Sequence, residues 1–599
     1  MNELNSLFKS RKFAESEIFA NALLERYPDS GLVWELLGLS LQMQGKNALH
    51  AFQKTAELMP EDAGAQYNLG SLQKLYRLLG DAAESYRRAI RLKPDFAEAY
   101  SNLGNVLKEI GRLDEAIENY QQALTLKPDA AEIHNNLAGI LMDKCRFGEA
   151  VQGFRRALEL KPGYADAYSN MLFCLFHYEA DGKILFDESR RFAQWYETPL
   201  RPGWPHHGNE RDPGRKLKIG FVSADFYNHS VAHFFELVAE HLARNPQLSL
   251  HAYYNNTIED EVTQRLKSWL PHWTRVVGMP DEVLAKKIHE DGIDILYDLS
   301  GHTAKNRLLV FARKPAPIQV SWIGSPGTTG LSAMDYYQSD RFLFPDDRFD
   351  GQYTEKVVRL PASSAFMPNP EAPPVSTLPA LANGYVTFGS FNRLSKVSRE
   401  VVALWSQLLR ALPDSRLLLG GMPRDDQYRT LIQWFTEENI STERLEFHQR
   451  SDMKQYLALH QQVDICLDTF PYNGGTTTFH ALWMGVPTLT LSGHTLAGWA
   501  GSSILGHVGL QKEFAASDAD EFVRLGRYWQ DHFSELNAIR FSLRDRFAHS
   551  ARGRPDVVAE SMARAMRVMW QRWCSGLEPV SFEISWDAGS GLLQEVLDR

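Results

Sequence analysis

The hydrophobic and polar positions of the first 180 residues repeat with a period of 34. The segment DFAEAYSNLGNVLKEIGRLDEAIENYQQALTLKP, residues 95–128, is followed without a gap by DAAEIHNNLAGILMDKCRFGEAVQGFRRALELKP, residues 129–162. Four successive units end in a proline, at Pro60, Pro94, Pro128 and Pro162. Each unit is typical of two helices joined by a turn, with small residues where the helices cross. The pattern therefore predicts a helical repeat array, opened by a degenerate unit over residues 1–30.

A helix pair of 34 residues is the period of the tetratricopeptide repeat, which builds an α-solenoid. Most such arrays are scaffolds for protein partners. Here an asparagine also recurs one turn into the first helix of each unit, at Asn68, Asn102, Asn136 and Asn170. First helices line the concave face, so these side chains would form a ladder that pairs with the amide groups of an extended acceptor peptide. The spacing is equally compatible with asparagines that cap or pack within their own repeats.

From Arg215 onward the pattern changes to short apolar runs that alternate with helical stretches. The run KLKIGFVSADF ends in small and polar residues, as a buried parallel strand does at its carboxyl end. A second series of strands, from YVTFGSFNR to PTLTLSG, follows a proline-rich passage. This alternation predicts two doubly wound α/β lobes with a ligand cleft at their strand ends. Neither lobe carries GxGxxG or GxxxxGKS/T, so dinucleotide and P-loop sites are disfavoured.

A chain of 599 residues exceeds what a single core supports, so several domains are expected. The patterns predict a repeat array over 1–180, a linker over 181–213 and a first lobe over 214–365. They predict a second linker over 366–383, a second lobe over 384–575 and a C-terminal tail over 576–599.

Composition excludes several classes of function. The net charge of −10 argues against nucleic acid, which needs a concentrated basic face. Four widely spaced cysteines argue against a disulfide framework or a structural zinc site. The N-terminus shows no apolar signal-peptide core, and the uncharged stretch 481–510 is interrupted by Pro487 and six glycines. We therefore expect a soluble, cytoplasmic protein that acts neither on nucleic acid nor in a membrane.

The strongest candidate chemistry lies in the loop PYNGGTTTFHALW of the second lobe. The first N–H groups of a helix that starts near Thr476, together with the hydroxyls of Thr476 and Thr477, would suit a diphosphate. An ordinary threonine N-cap is the alternative. Arg393 and Lys396 follow a strand of the same lobe and could reach the same diphosphate. Because no DxD motif stands at a strand end, we expect fixed cations and the helix N-terminus, and no metal, to neutralise a departing diphosphate.

The first lobe offers histidines and a glycine-rich loop across the predicted cleft. His229 and His233 follow the first strand, and a histidine that titrates near neutrality can act as a base or donate a hydrogen bond to a sugar. Most histidines do neither. The segment SGHTAKNR adds His302 and Arg307, and WIGSPGTTG adds the glycine-rich loop that contains Gly324.

These motifs together resemble the protein O-GlcNAc transferase family. They are the repeat array followed by IGFVSADFYNHSVAHF, DLSGHTAKNRLLVFARKPAPIQVSWIGSPGTTG, YVTFGSFNRLSK and DTFPYNGGTTTFHALWMGVPTLTLSG. The resemblance is strongest to the SPINDLY-like branch and to bacterial members, and it covers essentially the whole chain. It implies a GT-B fold of two Rossmann-like lobes. It also implies metal-independent, inverting transfer of a sugar from a nucleotide donor, with no further cofactor, onto Ser or Thr of proteins gathered by the repeats.

The resemblance also implies roles for single residues. His229 matches the histidine near the donor sugar, as base or as positioning group, with proton transfer to the donor phosphate as the rival route. Lys396 matches the essential lysine on the diphosphate, and the Asn ladder matches the family's peptide-binding asparagines. The remaining residues that we expect to bind the donor are Arg393, Tyr456, Gly474, Gly475, Thr476, Thr477, His480, Arg307 and Gly324.

Four of these positions depart from the animal enzymes of the family. Arg393 stands in place of a glutamine, Gly475 and Tyr456 each replace a histidine, and His480 replaces an acidic residue that contacts the ribose. A neutral imidazole has one acceptor nitrogen where a carboxylate has two acceptor oxygens, so His480 cannot hold ribose hydroxyls in the same way. These departures bear on which nucleotide, and therefore which sugar, is used.

The predicted function is protein O-glycosylation with UDP-GlcNAc as donor. Two alternatives stay open: O-fucosylation from GDP-fucose, as in plant SPINDLY, and an inactive repeat scaffold that has lost transfer. A free-standing sugar epimerase would also use two Rossmann-like lobes, but the Asn-bearing array has no role in that chemistry. The predicted partners are a nucleotide sugar and acceptor proteins, and homodimerisation is left open.

Overall fold

The computed structural model describes residues 1–422, 428–587, 589 and 591–597. The chain divides into two compact units, residues 1–167 and 168–599. In the described ranges every helix is too short or too polar to span a bilayer.

The first unit is built of antiparallel helix pairs, as the period of 34 predicts. Glycines allow the two helices of a pair to approach closely. A Cβ at Gly104 would lie 2.9 Å from the ring of Tyr120, and one at Gly70 would lie 3.1 Å from the ring of Tyr86. Both tyrosines are fully buried. The helices are α1 Asn2–Lys9, α2 Phe13–Arg26, α3 Gly31–Met43, α4 Leu49–Leu58, α5 Ala63–Leu75, α6 Leu79–Leu92, α7 Ala97–Glu109, α8 Leu113–Leu126, α9 Ala131–Asp143 and α10 Phe147–Leu160.

The second unit begins within a helix and continues as alternating strands and helices. Up to residue 360 these are α11 Ala165–Tyr178, α12 Gly182–Tyr196, β1 Leu217–Ser223, α13 Ser230–Ala243, β2 Leu248–Tyr254, α14 Glu261–Trp269, β3 His272–Arg275, α15 Asp281–Glu290, β4 Ile295–Asp298, α16 Leu308–Phe311, β5 Ile318–Ser321, β6 Tyr336–Asp340 and β7 Lys356–Leu360.

The rest of the second unit holds a second series of strands. Its elements are α17 Ala380–Asn383, β8 Thr387–Ser390, α18 Arg399–Ala411, β9 Arg416–Met422, α19 Arg429–Glu437, β10 Leu445–Gln449, α20 Met453–Leu459, β11 Ile465–Leu467, α21 Thr476–Trp483, β12 Thr488–Leu491, α22 Leu496–His507, α23 Gln511–Phe514, β13 Ala515–Ala516, α24 Ala519–Tyr528, α25 Phe533–His549, α26 Pro555–Cys574, β14 Phe582–Trp586 and β15 Leu593–Leu597.

The described strands form two sheets, as the two predicted lobes require. The first sheet has the order β15-β14-β7-β6-β5-β4-β1-β2-β3, and the second has the order β10-β9-β8-β11-β12-β13. Apart from the antiparallel pair β14–β15, the described strand pairs are parallel. Helices cover the sheets, which agrees with nearly continuous apolar strands such as β4, buried along its whole length.

The C-terminal part of the chain differs from the predicted boundaries. Helix α26, predicted to end the second lobe, packs in the core of the first sheet through Met562 and Trp570. The predicted tail contains two strands of that sheet, because Phe582 and Ile584 alternate inward and β14 pairs with β7. Positions 588, 590, 598 and 599 of the tail lie outside the described residues. The predicted linker 181–213 likewise contains α12 and a 3-10 helix, Thr198–Gly203.

Candidate active site

Two neighbouring strands of the second sheet bring the predicted diphosphate residues together. Strands β8 and β11 are parallel and directly paired, so the loops that follow them leave the same edge of the sheet. Lys396, in the loop after β8, donates a hydrogen bond from Nζ to the carbonyl oxygen of Asn473 at 2.7 Å. The same Nζ lies 4.0 Å from the ring centroid of Tyr472. The lysine and the glycine-threonine loop therefore form one cluster.

The protonation of Lys396 depends on opposing effects of its surroundings. Burial lowers the pKa of Lys396 to about 7, the negative charge of Asp468 opposes this lowering, and the positive charge of Arg393 adds to it. Arg393 itself is exposed at the rim of the cluster. An anion bound beside Lys396 would favour its protonated form.

The N-terminus of α21 lacks a side-chain cap. The N-cap residue is Gly475, which has no side chain, so the alternative of an ordinary threonine cap is not what the structure shows. The Thr477 hydroxyl donates to Oδ1 of Asn392 at 2.9 Å. The Thr476 hydroxyl has no hydrogen-bond partner among the described residues and stays available to a ligand. The helix end thus presents N–H groups and one free hydroxyl beside Lys396.

His480, one turn further along α21, and Tyr456 of α20 form an aromatic wall. The Tyr456 hydroxyl lies 3.3 Å from Nδ1 of His480, and the ring of Phe366 lies 5.6 Å from the His480 ring. Burial lowers the pKa of His480 to about 4, so its imidazole is neutral at physiological pH. A neutral ring next to aromatic neighbours suits the uncharged part of a nucleoside rather than its phosphates.

The structure adds His177, which sequence reasoning did not single out. It lies in the last turn of α11, and its ring stacks on Tyr472 with centroids 4.1 Å apart and planes 8° apart. Nδ1 lies 2.9 Å from the carbonyl oxygen of Phe173, so Nδ1 carries the proton. The pKa of His177 is lowered to about 4, first by burial and then by the charges of Lys396 and Arg393. Its Nε2, without a partner in the described part of the chain, is a free acceptor.

His229 is placed at the carboxyl end of β1 in the first lobe. It is the N-cap of α13, where Nδ1 accepts a hydrogen bond from the N–H of Val231 at 3.3 Å. The nearest carboxylate oxygen, Oδ2 of Asp225, is 3.7 Å from the same nitrogen. With Nδ1 occupied as an acceptor, the neutral ring carries its proton on Nε2 and can donate rather than accept there.

Arg307 and Gly324 are engaged within the first lobe. Arg307 Nη2 donates to the carbonyl oxygen of Met279 at 2.6 Å, and its Nε lies 2.8 Å from Asp281. A Cβ at Gly324 would lie 2.4 Å from the carbonyl oxygen of Leu299, so this close loop packing requires glycine. Neither residue has a hydrogen bond or ion pair to the Lys396 cluster among the described residues, and their donor contacts stay predictions.

The two other candidate histidines of the first lobe also have local partners. His302 is buried, with Nδ1 3.2 Å from the Ser169 hydroxyl and Nε2 3.1 Å from the carbonyl oxygen of Thr329. His233 lies 2.9 Å from Oδ1 of Asn228. His302 therefore ties α11 to the first lobe, which is a structural role. Among the described residues, no group of three or more His, Cys, Asp or Glu side chains is arranged as metal ligands would be.

The Asn ladder occupies the sixth position of α5, α7, α9 and α11. Its four members, Asn68, Asn102, Asn136 and Asn170, are all half-buried. Asn102 donates from Nδ2 to the Tyr67 hydroxyl at 2.9 Å, and Asn136 donates to Oδ1 of Asn105 at 3.2 Å. Part of the ladder's hydrogen-bonding capacity thus lies within the array, and peptide binding by it stays a prediction.

The comparisons with known proteins agree on one family. The sequence profile of glycosyl transferase family 41 matches residues 197–369 and 376–552, and the TPR repeat profile matches 79–111 and 104–144. The probable UDP-N-acetylglucosamine–peptide N-acetylglucosaminyltransferase SPINDLY of Arabidopsis thaliana is 36% identical over 400 residues, 65% of this chain and 43% of that protein. The corresponding protein SEC of Arabidopsis thaliana is 29% identical over 380 residues, 62% of this chain and 39% of that protein. The chain thus spans less than half the length of these curated relatives.

A solved structure extends the likeness to most of the chain. A lysine variant of the O-GlcNAc transferase of Thermobaculum terrenum is 32% identical, with a TM-score of 0.78, over 86% of this chain and 98% of that chain. The predicted fold class, an α-solenoid followed by a GT-B-like pair of lobes, is confirmed. The profile match and this structure together show that the chain belongs to glycosyl transferase family 41.

Proposed function

We propose that this protein is an inverting protein O-glycosyltransferase that moves GlcNAc from UDP-GlcNAc to Ser or Thr of proteins held by the repeat array. The observation that carries the proposal is the contact of Lys396 with the loop that opens α21, at a helix N-terminus without a side-chain cap. Named relatives support the choice of donor, because both Arabidopsis proteins are named as UDP-N-acetylglucosamine–peptide transferases.

The leaving group is where this cluster acts. When the bond between the anomeric carbon and the diphosphate oxygen breaks, negative charge grows on the diphosphate. Lys396, the first N–H groups of α21 and the Thr476 hydroxyl are fixed donors for that charge. Their positions are set before the reaction, so little reorganisation opposes the step. The pKa of about 7 for Lys396 would rise when the dianionic group binds, which makes the lysine fully cationic in the complex.

The acceptor proton needs a base that can reach the attacking hydroxyl. As the hydroxyl oxygen bonds to the anomeric carbon, its proton leaves to a neutral acceptor. Nε2 of His177 is such an acceptor, since Nδ1 is held protonated by the Phe173 carbonyl. His229, whose Nε2 carries a proton, is assigned to hold a sugar hydroxyl instead. A pKa of about 4 makes His177 a weak base, so charge stabilisation and positioning supply most of the acceleration.

Ligand binding and transfer test the proposal together. Purified protein is heated with UDP, UDP-GlcNAc, UDP-glucose or GDP-fucose, and the unfolding temperature is recorded, because a ligand of the folded state raises it. We expect stabilisation by UDP and UDP-GlcNAc, and a peptide library analysed by mass spectrometry should gain N-acetylhexosamine on Ser or Thr. Lys396→Ala protein, folded by circular dichroism, is the matched control and should show neither effect.

The other outcomes separate the alternatives. Stabilisation by GDP-fucose alone, with deoxyhexose on the peptides, would overturn the choice of donor and keep the transferase. A flat response to every nucleotide and no modified peptide would favour the inactive scaffold.

A further inference from the structure

A buried carboxylate lies beneath the loop that carries the proposed donor site. Asp468 directly follows β11 and is 1% exposed. Its Oδ1 accepts hydrogen bonds from the N–H of Thr469 at 2.9 Å and from the N–H of Gly474 at 2.6 Å. Its Oδ2 accepts from the Thr490 hydroxyl at 2.9 Å. Both ends of the loop are therefore tied to one side chain.

The neighbouring Asn473 continues this framework. Its N–H donates to the carbonyl oxygen of Ala497 at 3.0 Å, and its Nδ2 donates to the carbonyl oxygen of Thr469 at 2.7 Å. Its Oδ1 accepts from the N–H of Gly501 at 3.1 Å. The one backbone acceptor left at this residue is the carbonyl oxygen that receives Lys396. The position of Lys396 thus depends on the loop shape that Asp468 and Asn473 enforce.

Asp468 is also the negative group that acts on Lys396. The charged and titratable groups around this lysine are Arg393 on its own loop, Asp468 on the facing loop, the Tyr472 ring and His177 from α11. Burial and Arg393 both disfavour the charged lysine, whereas Asp468 favours it. His177 is neutral near pH 7 and does not offset this balance.

We propose that Asp468 is a positioning residue with two linked tasks: it holds the Gly474 and Asn473 segment in its donor-binding shape, and its charge favours the protonated form of Lys396. This rests on the proposed nucleotide-sugar transfer, in which the protonated lysine meets the leaving diphosphate. Asp468 touches neither the donor nor the acceptor in this scheme and acts through Gly474, Asn473 and Lys396.

The substitution Asp468→Asn separates charge from shape. An asparagine can keep both backbone N–H groups on Oδ1, and its new Nδ2 can donate to the Thr490 hydroxyl. The loop therefore has a route to the same hydrogen bonds without the negative charge. Since an opposite charge nearby shifts a pKa by about 1 to 3 units, we expect the alkaline limb of kcat/KM to move to lower pH by about one unit. Activity at pH 8 should fall about tenfold and recover towards pH 6.

Binding of UDP gives a second readout that needs no turnover. The affinity of Asp468→Asn for UDP should be about tenfold weaker than wild type at pH 8 and nearly equal at pH 6. The titration of UDP itself is common to both proteins and cancels in the comparison. The control is Asp464→Asn: Asp464 is also fully buried but does not act on Lys396. Its two oxygens accept from the N–H groups of Ala380 and Thr387, so this variant is expected to be less stable than wild type, and only the position of its alkaline limb is compared. It should leave the alkaline limb in place.

The possible results of these experiments distinguish the role of Asp468 from the proposed function. A folded Asp468→Asn protein with an unshifted limb and unchanged UDP affinity overturns the role of Asp468. Equal loss of affinity at pH 6 and pH 8 overturns the charge task, because shape alone would then explain the loss. UDP binding by the wild-type protein is measured first, and its absence would overturn the proposed function instead.

Discussion

Replacing Lys396 by methionine should make the unliganded protein more stable while it removes donor binding. Methionine has a similar length and no charge, so it fills the same space against Tyr472. The wild-type lysine is held in a half-buried site where burial lowers its pKa to about 7. A charged group in such a site costs free energy in the folded state, and the variant lacks this cost.

The size of the effect follows from the pKa. A lowering from 10.5 to about 7 is worth about 4 kcal/mol at pH 7, at about 1.4 kcal/mol per unit. Solvent screening of a half-buried group halves this figure, and the lost hydrogen bond to Asn473 removes about 1 kcal/mol more. We expect a net gain of about 1 kcal/mol. In a unit of this length, an unfolding entropy of roughly 2 cal/mol/K per residue converts it into a rise of about 1 °C in Tm.

The pH dependence distinguishes this cause from simple repacking. The folded pKa of Lys396 lies below its unfolded value of about 10.4, so between about pH 7 and 10 the unfolded chain binds more protons than the folded protein. The stability of wild type therefore rises with pH through this window relative to the variant. The advantage of Lys396→Met should be complete below about pH 7, shrink as the pH rises and vanish by about pH 9.5, where the cost of the lysine has fallen to about 1 kcal/mol, the size of the lost hydrogen bond.

Differential scanning calorimetry at pH 7, 8.5 and 9.5, with and without UDP, measures all of these effects. UDP should raise the Tm of wild type and leave Lys396→Met unchanged, so that the order of stability reverses with ligand. The reasoning is refuted if the variant is less stable than wild type at pH 7, or if the difference between them does not change with pH.

Two further predictions concern residues outside this cluster. Asp340→Asn should lower the free energy of unfolding by about 3 to 5 kcal/mol in urea titrations, because both carboxylate oxygens already face donors, among them Arg552 and the N–H of Phe342. Burial alone would raise the pKa of Asp340, but His507 and Arg552 hold this pKa well below its usual range. Wild type should therefore lose the same stability only as the pH falls below about 4. A variant as stable as wild type at pH 7 would contradict this reasoning. Asn102→Ala should raise KM for acceptor protein several-fold with the KM for donor unchanged, and an unaltered acceptor KM would favour the packing interpretation of the ladder.

Local patterns in the sequence were enough to predict the fold class and one half of the site. The period of 34 and the alternating strands depend on neighbouring residues, which is why the solenoid and both sheets could be predicted. Lys396 and Thr476 could be placed together because each follows a strand and parallel strand ends share an edge. Pairing over long distances could not be predicted. Strand β14 joins β7 more than 200 residues earlier, and nothing local in FEISW identifies that partner.

The roles of the two histidines could not be predicted from the sequence, for a physical reason. His229 is predicted as base or positioning group because it follows a strand end and matches the family's histidine near the donor sugar, whereas His177 lies inside the predicted repeat array, 1–180, where no pattern marks it. What assigns the proton is the partner of Nδ1: a backbone N–H at His229 and a backbone carbonyl at His177. Nδ1 of His177 contacts the carbonyl oxygen of Phe173, one turn back along α11. A histidine in the last turn of any helix can make this contact, so its position near a helix end is a signal that the sequence does contain. The stacking on Tyr472, whose ring Lys396 also contacts, brings His177 to the site, and it joins residues almost 300 positions apart. Whether a histidine accepts or donates a proton therefore depends on its tertiary contacts. Replacing His177 should change the pH profile of kcat, whereas replacing His229 should change the KM for donor.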